Sequence, residues 1–146
     1  MSRQIPPSVV DGVLLFARVA VGIIFFAHGW NHLFTTGIEA TQHEFKSLGA
    51  PAPSFSAWYA GIVELIGGIL LIVGVLMPLA AVLLFLDMAG AFFSVHWRKG
   101  IYVSNGGYEL VLALGAAALT LGAVGPGRYS IAGLLGHLRG GGRTAR

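Results

Sequence analysis

AWYAGIVELIGGILLIVGVLMPLAAVLLFLDMAG, residues 57–90, is the stretch on which the fold turns. It holds two charges, Glu64 and Asp87. As one α-helix it would run about 50 Å at ~1.5 Å per residue, well beyond a hydrocarbon core of about 30 Å. Pro78 lies inside it, and proline interrupts the helical hydrogen-bond ladder. The stretch therefore divides into two membrane-length helices, residues 56–77 and 79–96, joined by a tight turn and packed as antiparallel neighbours.

Working outward, an apolar run over residues 10–33 precedes this pair and another over 108–124 follows it, closed by Gly125-Pro126-Gly127. The first run is too long for a signal-peptide core and lacks a small-residue cleavage site, so it reads as a retained span. The expectation is an all-α membrane protein: a four-transmembrane-helix antiparallel bundle forming a single integral membrane domain over 1–146. In the connection Phe34–Phe55, Ile38, Phe45 and Leu48 have the spacing of a short amphipathic helix, broken by Gly49, Pro51 and Pro53. It reads as a lid on the outer surface. Ile131, Leu134, Leu135 and Leu138 suggest a short C-terminal interfacial helix within a basic tail, 128–146, that continues as a disordered Gly/Arg segment.

Composition agrees with this class. The chain is 55% hydrophobic and 10% charged, against about 25% charged in soluble proteins. Without cysteine, thiol chemistry, thiolate-held clusters and Cys-x-x-Cys-His haem attachment are excluded. The net charge of +3 gathers in the tail at Arg128, Arg139, Arg143 and Arg146, which favours anionic lipid over nucleic acid. Counting Arg3 and the tail arginines against Lys46, Arg98 and Lys99 places both termini in the cytoplasm, in a bacterial plasma membrane.

Each span carries one buried-type charge: Arg18, Glu64, Asp87 and Glu109. Ionisable groups are costly in a bilayer and mark functional or paired sites. Helical spacing turns all four inward: Arg18 with Gly22, Phe25, Gly29 and His32; Glu64 with Ala57, Gly61 and Gly68; Asp87 with Gly90, Ala91 and Ser94; Glu109 with Ala113, Ala116 and Thr120. Depth along the spans pairs Arg18 with Asp87 as a structural ion pair. It leaves Glu64 and Glu109, with His28 and His32, as an outer-half cluster suited to accepting protons. His28 and His32, one turn apart, have the spacing to chelate a metal or face a cofactor, although histidines at a helix end are also ordinary interfacial residues. His96 reads either as a further cofactor ligand or, with Trp97-Arg98-Lys99, as an interface anchor. An internal echo links Phe25-Phe26-Ala27-His28-Gly29-Trp30 to Phe92-Phe93-Ser94-Val95-His96-Trp97, and Glu64-Leu65 to Glu109-Leu110, with the histidines one residue out of register.

Taken together, Ala17-Arg18-Val19, Phe26-Ala27-His28-Gly29, Gly49-Ala50-Pro51, Glu64-Leu65-Ile66-Gly67-Gly68, Asn105-Gly106-Gly107-Tyr108-Glu109-Leu110 and Gly127-Arg128-Tyr129-Ser130-Ile131 resemble the DoxX family over residues 12–133. The resemblance implies a four-helix bundle of a redox-associated membrane superfamily. Some of its members are similar to subunits of thiosulfate:quinone oxidoreductase, and others to membrane anchors linking superoxide detoxification to thiol handling. By position, its polar residues would be Arg18, His28, Glu64, Asn105 and Glu109.

Two functions follow. One is a subunit of a quinone-dependent or redox-stress oxidoreductase system. There Glu64, Glu109 and His28 would handle protons, and His28, His32, Trp30, Asn105 and His96 would hold a quinone headgroup against Phe25, Phe26, Trp58 and Phe93. Haem is the less favoured cofactor, and no metal is assigned. The other is a non-catalytic anchor or packing subunit, meeting protein partners or further copies of itself through glycine-rich faces. No self-contained catalytic motif is present.

Overall fold

The computed structural model describes residues 5–140, so Arg3, Arg143 and Arg146 and the end of the basic tail lie outside the described residues. Within them the chain is helical, with no strand: α1 (Pro7–Trp30), α2 (Ile38–Ser47), α3 (Pro53–Val73), α4 (Met77–Ala91), α5 (Glu109–Val124) and α6 (Ile131–Gly140). A π-helical turn, Asn31–Thr35, extends α1, and another, Phe92–His96, followed by a short 3₁₀ turn, extends α4. With these extensions three helices are long and apolar enough to cross a membrane: Pro7–Thr35, Pro53–Val73 and Met77–Lys99. α5 is apolar but shorter, at 16 residues.

Two of the three prolines expected to break helices also start them. Pro53 opens α3 and Pro78 sits in the first turn of α4, where the missing N–H would have had no partner anyway. α3 stops at Gly74, whose φ of 71° is left-handed. The N–H groups of Gly74 and Val75 both return to the Leu70 carbonyl, which closes the helix end. Leu76, at φ 51°, completes the reversal into α4. The turn is therefore Gly74-Val75-Leu76, earlier than proline alone indicated.

α1 and α3 pack most intimately, through glycines seven residues apart on each helix. Gly22 faces Gly68, and Gly29 faces Gly61 and Leu65. At Gly68 an added Cβ would lie 2.6 Å from both the Gly22 carbonyl oxygen and the Phe26 nitrogen, so backbone meets backbone along this seam. The core continues into α4 and α5 through Leu71, Leu84, Met88, Leu114 and Leu121. Phe16, Ile23, Ile66 and Leu112 point outward, an apolar surface suited to lipid.

On α5 the inward face is Val111, Leu114, Gly115, Ala118 and Leu121. Ala113, Ala116 and Thr120 are exposed. Small residues thus lie on both faces, Gly115 and Ala118 inward and Ala113 and Ala116 outward, and Glu109 does not point into the bundle. Close packing on α4 uses the inward set: Gly115 makes room for Met88, and Gly122 meets Ala81.

Candidate functional site

The charged residues separate toward opposite ends of the bundle. Toward the α3–α4 turn, Arg18 is 1% exposed and donates to the Tyr129 carbonyl. Its guanidinium packs on Gly74 at the C-terminal end of α3, where helix carbonyls and the macrodipole favour a cation. Two turns earlier on α1, Asp11 accepts from the Arg128 backbone N–H at 3.0 Å and approaches the Arg128 side chain at 3.9 Å. Ser130 then caps α6 by accepting from the Gly133 N–H at 2.9 Å. Asp11 and Arg18 thus hold the segment that leads into α6. The expected Arg18–Asp87 pair does not form, because the Arg18 stem reaches toward the α6 end and away from Asp87.

At the other end lies a cavity of about 420 Å³. Its walls are largely apolar: Phe25 from α1, Phe55 and Ala60 from α3, Met88 and Ala91 from α4, and Val111 and Leu114 from α5. α2 supplies Glu44 and Phe45, with Leu48 just beyond its end. Thr41 fixes α2 in place: it is fully buried, with its hydroxyl 3.0 Å from the His32 carbonyl and 2.9 Å from that of Gly37. His32 lies in the last turn of the extended α1, where carbonyls have no partner within the helix.

Glu64 stands in the wall at 4% exposure, and its Oε2 has no hydrogen-bond partner. His32 Nε2 is 3.5 Å from that oxygen, and Asp87 stands beside Glu64 on the same cavity wall. Two carboxyls this close repel when both are ionised, so the pair needs a proton or a cation between them. His32, 3.5 Å from Glu64 Oε2, is the basic side chain nearest that pair.

His28 and His96 also line the cavity. His28 Nδ1 donates to the Ile24 carbonyl at 2.9 Å, and His96 Nδ1 donates to the Gly106 carbonyl at 2.6 Å. The echo between the two aromatic-histidine segments now has a structural counterpart. A π-turn absorbs one extra residue, and the turn over Phe92–His96 takes up the one-residue offset, bringing His96 to the cavity as its counterpart His28 is.

Other expected positions fall elsewhere. Glu109 is absent from the cavity lining; its Oε1 accepts from the Val103 N–H at 2.6 Å, closing the loop before α5. The glutamate half of the echo therefore has no structural counterpart. Asn105 is exposed in the 3₁₀ turn preceding α5. Trp30 stacks between Phe26 and Phe34 on the outside, and Trp58 and Phe93 are also exposed. Of the expected aromatics Phe25 does line the cavity, joined by Phe45, Phe55 and Tyr59. Tyr59 was not anticipated; its hydroxyl donates to the Leu83 carbonyl at 2.9 Å, tying α3 to α4 beside the acidic pair.

The apolar helices and this largely apolar cavity with its buried acid define a helical membrane protein. The DoxX family model matches residues 13–97, and the chain belongs to that family. It is 36% identical over 107 residues to the Bacillus subtilis protein named "Putative oxidoreductase CatD", covering 73% of this chain and 76% of that one. An uncharacterized membrane protein of Mycobacterium tuberculosis is 31% identical, covering 86% of this chain and 80% of its own. Inner membrane protein YphA of Escherichia coli is 31% identical, covering 82% and 87% respectively. No solved structure matches the chain. Family, apolar helices and membrane-protein relatives together make this an integral membrane protein.

Proposed function

We propose that the chain is a single four-span domain of a bacterial plasma membrane, with both termini cytoplasmic, whose cavity takes the ring of a quinone or its reduced form within an oxidoreductase system. The observation that carries this reading is the Glu64 carboxyl, almost fully buried with a free oxygen, in the wall of an apolar cavity of about 420 Å³. That volume is in the range of small-molecule sites, about 300–1,000 Å³. Interconversion of a quinone and its hydroquinone moves protons as well as electrons, and carboxyls and imidazoles at the ring are the groups that carry them. The oxidoreductase in the name of the Bacillus relative supports the redox assignment. Glu64 and Asp87 are the proton-handling pair in this reading, with His28, His32 and His96 as ring contacts.

The test is titration of the purified protein in lipid nanodiscs with a short-chain quinone and its hydroquinone, followed by tryptophan fluorescence. Saturable binding of either one to the native protein, lost in Glu64→Ala, is expected. Absence of binding by both would overturn the reading. The second reading, an anchor within a larger complex, draws on the outward α5 stripe of Ala113, Ala116 and Thr120, a surface on which another helix packs closely. Mass measurement after gentle solubilisation separates the two, since an anchor is recovered with its partner.

A further inference from the structure

Resting on that reading, we infer that the cavity selects the reduced, hydroxyl-bearing ring, a hydroquinone or other diphenol, over the oxidised quinone. The argument is an account of which polar atoms are already engaged. A backbone carbonyl can only accept, so the contacts from His28 Nδ1 to Ile24 and from His96 Nδ1 to Gly106 place the proton on Nδ1 in each neutral ring. Each neutral ring is left with a bare Nε2 lone pair, half-buried in His96 and exposed in His28. Glu64 Oε2 is a buried acceptor without a hydrogen-bond partner, the nearest donor being His32 Nε2 at 3.5 Å.

The hydroxyls on the wall are committed in the same sense. Ser94 donates to the Gly90 carbonyl at 2.6 Å, Ser56 to the Pro51 carbonyl, and Tyr59 to the Leu83 carbonyl. The donors that remain are His32 Nε2, which faces Glu64, and the ammonium of Lys99, an exposed residue. With His32 Nε2 turned to Glu64, and His28 and Lys99 exposed, the unfilled positions inside the wall are the half-buried His96 Nε2 and the buried Glu64 Oε2, both acceptors. A quinone offers two carbonyl oxygens, which accept only and would confront these lone pairs. A hydroquinone offers two O–H donors to the same atoms. Sites built to hydrogen-bond a hydroxyl discriminate strongly against an analogue without one, because buried polar groups are otherwise left unpaired.

The test uses the full chain in nanodiscs and three ligands of nearly the same shape: a short-chain quinone, its hydroquinone kept reduced under anaerobic conditions, and the hydroquinone dimethyl ether, which has no O–H. The hydroquinone is expected to bind at least tenfold more tightly than either of the others, a difference of about 1.4 kcal/mol. Glu64→Gln, which replaces one acceptor oxygen by a donor amide, should narrow the preference between hydroquinone and quinone. Quinone binding as tight as hydroquinone binding, or an ether that binds as well as the free diphenol, would overturn the selectivity while leaving a ring-binding site. Absence of binding by all three would overturn the site and the selectivity together.

Discussion

Gly29→Ala tests the packing that shapes the bundle around its cavity. In the structure, a Cβ on Gly29 would lie 2.8 Å from the Gly61 carbonyl oxygen and 2.8 Å from Leu65 Cα, both backbone atoms of α3. Carbon contacts settle at about 3.5–4.0 Å, so α1 must shift by roughly 1 Å along a seam with no flexible side chain to yield. Overpacking of this kind costs about 1–3 kcal/mol. Alanine also improves helix propensity over glycine by about 1 kcal/mol, which masks part of the cost. Gly12→Ala on the same helix removes that ambiguity, because nothing lies within 4 Å of its added Cβ. The contrast between the two variants isolates the clash. At roughly 3 °C per kcal/mol for a chain of this size, Gly29→Ala should unfold about 3–10 °C below Gly12→Ala in a detergent thermal melt. Equal midpoints, or a higher one for Gly29→Ala, would refute the close α1–α3 seam.

Three further outcomes are expected. Glu64→Leu should abolish ring binding while leaving the unfolding temperature at or above that of the native protein, since it removes a buried unpartnered oxygen worth about 1–3 kcal/mol; a lower midpoint would show that the carboxyl is a stabilising member of the core. Thr41→Val should loosen α2 by about 1–2 kcal/mol through loss of its buried hydroxyl bonds, read as faster limited proteolysis within residues 37–52 and weaker ring binding. Asp11→Ala should free the Arg128 N–H and raise hydrogen exchange over residues 127–134 about tenfold or more, with the region around Glu64 unchanged.

The helical class and the inward face of α3 were legible from the letters, because apolar length and the spacing of Ala57, Gly61, Glu64 and Gly68 are strong local signals. The same reasoning misjudged α5. Small residues there lie on both faces, Gly115 and Ala118 inward and Ala113 and Ala116 outward, and sequence alone does not say whether a small residue admits a neighbouring helix or merely faces lipid. Pro53 and Pro78 show the ambiguity of proline, which stops a helix from inside but starts one from its first turn. Gly74 was the better stop signal. Asp87 was separated from Glu64 because depth counted along straight helices ignores the reach and direction of Arg18, whose guanidinium ends on the Tyr129 carbonyl. Nor can letters foretell a π-turn, so the one-residue offset between His28 and His96 looked like a broken echo.

The most direct measurement of the ring site is photolabelling. A short-chain hydroquinone bearing a diazirine, irradiated with the protein in nanodiscs and mapped by peptide mass spectrometry, should mark the cavity walls: Phe45–Leu48, Phe55–Glu64 and Asp87–Val95. An excess of the unlabelled hydroquinone should suppress that labelling. Labelling confined to the lipid-facing residues Phe16, Ile23, Ile66 or Leu112, or labelling that competitor leaves unchanged, would contradict the account.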